Sequence, residues 1–317
     1  MRVLIADRFS DEARATLAAE GFTIIYMPDG RDDALKQAIA DSEADVLVVR
    51  STRVTADMLR AGRLSLVIRA GAGYNTIDVA TAKANGIFVS NCPGKNSNAV
   101  AEIAFGMIID LDRQITANTA DLRNGIWRKA HYSNARGLAG STLGLVGVGR
   151  IGRAMIPRAK AFGMSVAGWS RSLTDDTANE LGIERMLSPT EVAKSADVVS
   201  VHVSLTEDTR AFVSRKFFEA MREGAIFINT SRAEVVDETA LSWAVQERGI
   251  KAGLDVFEGE PPSGSGEIDN PLFSLEGVIG THHIGGQTSE AQRAIADETV
   301  RIIRAFRATG TPLNPVW

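Results

Sequence analysis

One cysteine, Cys92, is all that the 317 residues contain, so no intrachain disulfide can form and a cysteine-rich zinc site is excluded. No metal site is expected, and Cys92 itself reads as a buried, redox-inert thiol. No stretch approaches the roughly 18 uninterrupted apolar residues of a membrane span. The N-terminus, MRVLIADRFSDEA, turns acidic and polar after six residues, without the roughly 7–15 apolar residues of a signal peptide. An excess of one charge is also missing: 35 basic against 39 acidic residues give −4, a poor footprint for nucleic acid. There is no GxxxxGK[ST] string, which argues against a P-loop kinase or ATPase, and no internal repeat. A soluble, cytoplasmic protein with neither a membrane nor a nucleic-acid partner is expected.

What is present is alternation. Short β-branched runs, Val3–Ala6, Thr23–Tyr26, Val46–Val49, Leu66–Ile68 and Ile87–Val89, are separated by helical patterns such as Asp11–Glu20, with Ser10 as its N-cap. A second series runs through Leu143–Val146, Ser165–Trp169, Val198–Val201, Ala225–Asn229, Gly253–Val256 and Val278–Gly280. Such alternation predicts βαβ units and parallel sheets, an α/β protein. One long helix is expected from Ser97 to about Asn124 and another from Ser289 to about Ala308, ended by Gly310 and Pro312. Two long helices bracketing the second series suggest one domain inserted into a discontinuous other: 1–96 with 285–317, and 97–284. Pro261–Asn270 (PPSGSGEIDN) reads as a surface loop.

The sharpest local signal is Gly147-Val148-Gly149-Arg150-Ile151-Gly152, directly after the apolar run LGLV. Gly147 permits a tight turn, Gly149 lets the backbone approach a pyrophosphate, and Gly152 lets helix and strand pack closely. The following helix N-terminus presents N–H groups to phosphates. Pro157 lies inside that helix and predicts a kink or an early end. After the next strand, Ser170-Arg171 stands where NAD sites carry Asp or Glu for the ribose 2′-OH. Serine and arginine accept a 2′-phosphate where a carboxylate repels one, so NADP is favoured, with NAD the alternative.

Three strings, INTSRAEVVDE, GLDVFEGEPP and GTHHIGGQTSEA, follow predicted strands and bring Arg232, Glu260 and His283, separated by 28 and 23 residues. Reducing a 2-keto acid requires a cation that holds the carboxylate and polarises the carbonyl, plus a proton donor for the forming alkoxide. Arg232 suits the first task and His283 the second. Glu260, paired with His283, would favour the imidazolium and fix its orientation. His131, beside Tyr132 and Arg128, reads as solvated, with a place near a partner subunit's cleft the alternative.

These strings, in this order, resemble the D-2-hydroxyacid dehydrogenase family over nearly the whole chain. GVGRIG is similar to its cofactor loop, NTSRAEVVDE to its arginine segment (Ala233 for the usual Gly), LDVFEGEP to its glutamate segment, and THHIGGQT to its histidine segment (His282 for the usual Pro). The resemblance implies two Rossmann-like domains, an active site in the cleft, dimerisation through the cofactor domain, and Arg232, Glu260 and His283 as the catalytic residues. Asp255 matches the family's acid near the nicotinamide; Thr230 and His202 are further cofactor candidates, with His202 equally open to a structural role. VVRSTRVT, IRAGAGYNTID and SNCPGKNSNAVAEIAFGMI resemble the 3-phosphoglycerate dehydrogenase branch. Carried over, Ala72 and Gly73 would offer N–H groups to the substrate carboxylate, and Arg50, Ser51, Arg69 and Asn96 would lie near its far end. Tyr74 and Asn75 depart from the usual small-residue loop. The chain ends at Trp317, so no regulatory C-terminal domain is expected. A glyoxylate/hydroxypyruvate reductase remains the alternative, and a dinucleotide-sensing corepressor the rival from another class.

Overall fold

The computed structural model describes residues 1–261 and 265–317, so Pro262, Ser263 and Gly264 of the expected surface loop lie outside the described residues. The chain divides into two units, Met1–Asn96 with Gln287–Trp317, and Ser97–Gly286. Within the first, β1 (Arg2–Ile5), β2 (Thr23–Tyr26), β3 (Val46–Val49), β4 (Leu66–Arg69) and β5 (Phe88–Asn91) form a parallel sheet in the order β2-β1-β3-β4-β5. Strands such as VLVV are buried along their whole length, as parallel strands covered on both faces must be. On one face Val3, Ile5, Val46 and Ile68 pack with Leu17 of the Asp11–Ala19 helix and with Ile295, Val300, Ile302, Ile303 and Phe306 of the Ser289–Thr309 helix. On the other, Leu4, Leu47 and Val67 meet Leu35, Ile39 and Leu59. Ser10 caps its helix as expected, its Oγ accepting the Ala13 N–H at 3.2 Å.

The second unit contains β6 (Thr142–Val146), β7 (Ser165–Trp169), β8 (Glu184–Arg185), β9 (Val198–Val201), β10 (Ile226–Asn229), β11 (Lys251–Leu254) and β12 (Val278–Gly280). They form a parallel sheet in the order β12-β11-β10-β9-β6-β7-β8. Order reverses between β6 and β9, the doubly wound arrangement whose crevice takes dinucleotides. Both sheets are therefore Rossmann-like, with the second unit inserted into the discontinuous first.

One helical expectation needs correction, and another narrows to one of its alternatives, a kink. The segment after Asn96 forms two helices, Ser97–Arg113 and Ile115–Arg123, rather than one. Gln114 between them is left-handed, φ 52°, and the Asp110 carboxylate accepts the Thr116 N–H at 2.8 Å, capping the new helix. The Arg150–Ala161 helix does not end early: it continues four residues past Pro157. The only hydrogen bond that proline itself deletes is the one its own N–H would have made.

Candidate active site

A single register line crosses the second sheet. Trp169 pairs with Val146, Val146 with Val201, Val201 with Asn229, Asn229 with Leu254, and Leu254 with Gly280. The next residue on each strand is therefore Ser170, Gly147, His202, Thr230, Asp255 and Thr281. Five of these six are sequence candidates, and all emerge along one edge, beyond the carboxyl ends where parallel sheets bind ligands.

The glycine loop fits a bound dinucleotide. Gly147 has φ 106°, and a Cβ there would press on the His202 carbonyl carbon and oxygen at 2.7 Å. A Cβ on Gly152 would collide with the Gly147 carbonyl, whereas nothing lies within 4 Å of the Cβ position on Gly149. Space is thus left open only where the backbone would approach a diphosphate, at the N-cap of the helix that Arg150 and Ile151 begin. Two sealed polar atoms, His202 Nδ1 and Thr230 Oγ1, have no hydrogen-bond partner among the described residues. His202 Nε2 lies 2.9 Å from Ser200 Oγ, and burial lowers its imidazole from 6.5 to about 4, so the ring is neutral at pH 7. Arg171 is exposed and stands 3.5 Å from the exposed Asp208 carboxylate.

Arg232 follows β10 and precedes a 3₁₀ turn, Ala233–Val235. Asn229, almost wholly buried, fixes the bend: its Oδ1 accepts from the Ser231 N–H at 3.0 Å and hydroxyl at 2.7 Å, and its Nδ2 donates to the Arg232 carbonyl at 2.9 Å. Arg232 Nη1 donates to the Ser231 carbonyl at 2.7 Å. Burial draws the guanidinium below its ordinary pKa, while Glu234 and Glu260 pull the other way.

Glu260 Oε2 lies 2.8 Å from His283 Nδ1, and its Oε1 accepts the Phe257 N–H at 3.1 Å. Burial opposes ionisation of Glu260, but His283, the Phe257 N–H and Arg232 outweigh it and hold the carboxyl below its usual range. Among the described residues no such pairing involves His282. His283 adopts a left-handed backbone, φ 52°, a conformation that disfavours L residues by roughly 1–2 kcal/mol and must be held in place. Asp255 holds it. Its carboxylate accepts from the Thr281 hydroxyl at 2.6 Å, the Ile284 N–H at 2.8 Å and the Gly285 N–H at 2.9 Å, while its carbonyl accepts the His283 N–H at 3.0 Å. The Asp255 side chain is thus committed to the histidine loop. With Nδ1 on the glutamate and the His283 side chain half exposed, Nε2 is left to exchange a proton with a ligand.

In the first unit, Val49 pairs with Arg69, so Arg50 lies one residue beyond the register of Arg69, at the carboxyl ends of neighbouring strands. Asp7, buried, gathers the first of these loops: its carboxylate accepts the Arg50 N–H at 2.6 Å and the Thr52 hydroxyl at 3.0 Å, and lies 3.5 Å from the Ser51 hydroxyl. The Arg69 guanidinium fills the space a side chain on Gly71 would need. Ala72 gives its carbonyl to Asn91 Nδ2 at 2.6 Å; Gly73 and Asn96 are half-buried. Cys92 is fully buried, and burial raises its thiol.

The model of the D-isomer specific 2-hydroxyacid dehydrogenase NAD-binding domain matches residues 105–285. The chain belongs to the D-2-hydroxyacid dehydrogenase family. It is 42% identical over 305 residues to hydroxypyruvate reductase of Thermotoga maritima, covering 95% of this chain and 97% of that protein. It is 37% identical over 311 residues to D-3-phosphoglycerate dehydrogenase of Methanocaldococcus jannaschii, covering 96% of this chain but 58% of that one. The chain thus spans little more than half of the latter enzyme's length. Among solved structures it resembles an NADPH-dependent glyoxylate/hydroxypyruvate reductase of Sinorhizobium meliloti in complex with NADP and malonate, with TM-score 0.85, 30% identity and coverage of 99% and 96%.

Sequence reasoning missed three residues at this family member's site. Asn229, Ser231 and Thr281 carry none of the reactive groups that draw attention in a string. Their signal was positional: each lies at or just past the end of a strand.

Proposed function

We propose that the chain reversibly reduces a 2-keto acid, with 3-phosphohydroxypyruvate and 3-phosphoglycerate as the substrate pair and NADP as the favoured dinucleotide, NAD serving less well. The observation that carries the chemistry is the 2.8 Å contact between Glu260 and His283 on the same sheet edge as Arg232 and an open glycine loop. Bound there, the dinucleotide supplies the hydride. Arg232 binds the substrate carboxylate and polarises the keto oxygen. His283 Nε2 gives its proton to the oxygen as negative charge builds, and takes it back in the reverse direction. Glu260 stays ionised, stabilises the imidazolium and keeps Nδ1 as the occupied nitrogen. Asn229 and Asp255 act as positioning residues for Arg232 and His283. Gly147, Gly149, Arg150, Ile151, Gly152, His202 and Thr230 would surround the diphosphate, and Ser170 with Arg171 the 2′-phosphate.

We assign substrate binding to the first unit, 1–96 with 285–317, and the dinucleotide to 97–284. Ala72 and Gly73 would hold the substrate carboxylate, with Arg50, Ser51, Arg69 and Asn96 toward its far end. Two arginines at the carboxyl ends of neighbouring strands support a phosphorylated acid. The bulkier Tyr74, 41% exposed, and the near full-length match to a hydroxypyruvate reductase favour a second reading, a glyoxylate/hydroxypyruvate reductase. Steady-state rates with NADPH and NADH on 3-phosphohydroxypyruvate, hydroxypyruvate and glyoxylate decide between them. In the first reading Arg69→Ala lowers kcat/KM about ten- to a hundredfold for the phosphorylated acid only. Preference for glyoxylate with Arg69→Ala indifferent selects the second, and absence of turnover on every acid selects a dinucleotide-sensing corepressor. A homodimer through the second unit is supported by Leu122, Ile126 and Trp127, the last 77% exposed; a monomeric mass in light scattering would refute it.

A further inference from the structure

The first sheet also has a reversal of strand order, between β1 and β3, and parallel sheets of the 2-1-3-4-5 type take ligands beyond the carboxyl ends of those two strands. Arg8 stands there after β1 and Arg50 after β3. A cavity of about 400 Å³ lies against both, within the range of small-molecule sites. Arg293 completes a set of three guanidiniums, with the hydroxyl-bearing Ser10 and Ser289 and a single carboxylate, Glu12, also in the lining.

The three arginines are held differently. Arg50 is preset, its Nη1 donating to the Arg8 carbonyl at 3.2 Å and its Nη2 to Gln287 Oε1 at 2.8 Å. The side chains of Arg8 and Arg293 make no ion pair or hydrogen bond with any described residue. Guanidiniums gathered around one cavity repel one another unless an anion lies between them. One planar arginine satisfies both oxygens of a carboxylate, whereas three need the larger oxygen set and double charge of a phosphate ester. Ser289 opens the 21-residue C-terminal helix, whose N-terminal field adds a smaller attraction of the same sign.

We propose that this cavity binds the phosphate group of a small phosphorylated metabolite, gripped by Arg8 and Arg293 beside the preset Arg50. Neither Arg8 nor Arg293 was a sequence candidate. Only the identification of that phosphate with the substrate's own rests on the reading above; the site does not.

The test is titration of the full chain with inorganic phosphate, followed by calorimetry. Wild type should saturate, Arg8→Ala and Arg293→Ala should each weaken binding about tenfold, and the double variant should show none. Both side chains project from exposed residues, and circular dichroism checks that the variants fold. Arg123→Ala, at an exposed arginine elsewhere, should bind as wild type does. Absence of saturation in wild type, or a double variant that binds equally well, overturns the proposal. Kinetics then distinguish the source. A raised KM for 3-phosphohydroxypyruvate but not hydroxypyruvate in the double variant marks the substrate's phosphate; an unchanged KM alongside lost phosphate binding marks a separate ligand. If no keto acid is turned over at all, the reaction reading fails while the titration still answers for the cavity.

Discussion

In the seven-stranded sheet the strand at the reversal, β6, runs into Gly147-Val148-Gly149, whereas in the five-stranded sheet the corresponding strand, β1, runs into Asp7-Arg8. The first loop offers backbone N–H groups and an open space; the second offers side chains. That difference suits two kinds of ligand. A diphosphate common to all nicotinamide dinucleotides can be met by backbone, which no substitution short of removing a glycine alters. A substrate or effector that differs between relatives must be met by side chains, which change freely. The chemistry should accordingly be robust and the choice of ligand adjustable.

The largest effect should come from the shared chemistry. His283→Ala is expected to lower kcat for keto-acid reduction by about 10²–10⁴, while His282→Ala stays within a few-fold of wild type. A reversed order would move the proton donor to the neighbouring residue and detach it from Glu260.

The backbone character of the second sheet's loop is sharpened by two glycines. Gly152→Ala places a methyl group against the Gly147 carbonyl and should lower unfolding stability by about 1–3 kcal/mol, the usual scale of overpacking. Gly149→Ala meets nothing within 4 Å, so it should leave the urea midpoint unchanged and weaken dinucleotide binding. Equal losses of stability in both would show that the space at Gly149 is not reserved for a ligand.

His202 tests the same edge through pH. In the unfolded chain its imidazole takes up a proton near 6.5, in the folded chain only near 4. The unfolded state therefore binds more protons between these values, and stability is fully present above 6.5 and lost as pH falls toward 4. The contribution is at most about 3 kcal/mol. Unfolding free energies of wild type and His202→Gln should converge as pH drops through this window; parallel curves would mean that the ring is not sealed.

The smallest effect concerns cofactor choice. Arg171→Ala should weaken NADPH several-fold and NADH hardly at all, because an exposed guanidinium shared with Asp208 is largely screened. Equal effects on both dinucleotides would remove Arg171 from the 2′-phosphate.

The α/β alternation was legible because buried parallel strands are short apolar runs: β2, β3, β7, β9 and β12 fall where the pattern places them. Strand β11 begins two residues earlier than expected, since Lys251 joins the ladder by bonding the Ala225 carbonyl although its side chain breaks the apolar pattern. Strand β8, two charged residues at an edge, has no pattern to read. Gln114 was missed because a left-handed residue leaves no trace in periodicity. The contact of Glu260 with His283 could be anticipated from chemistry. The cavity beside Arg8 and Arg293 could not, because those residues stand near opposite ends of the chain and each alone looks like an ordinary surface charge.

The C-terminal helix that buries Ile295, Val300, Ile302, Ile303 and Phe306 against β1, β3 and β4 has a consequence for biosynthesis. The sheet made first is finished last. While residues 97–286 are being translated, about 10–40 s at typical elongation rates, much of one apolar face of that sheet has no cover. A nascent chain of this kind should call on chaperones late, and should become protease-resistant in its N-terminal part only after the helix Ser289–Thr309 has emerged from the ribosome.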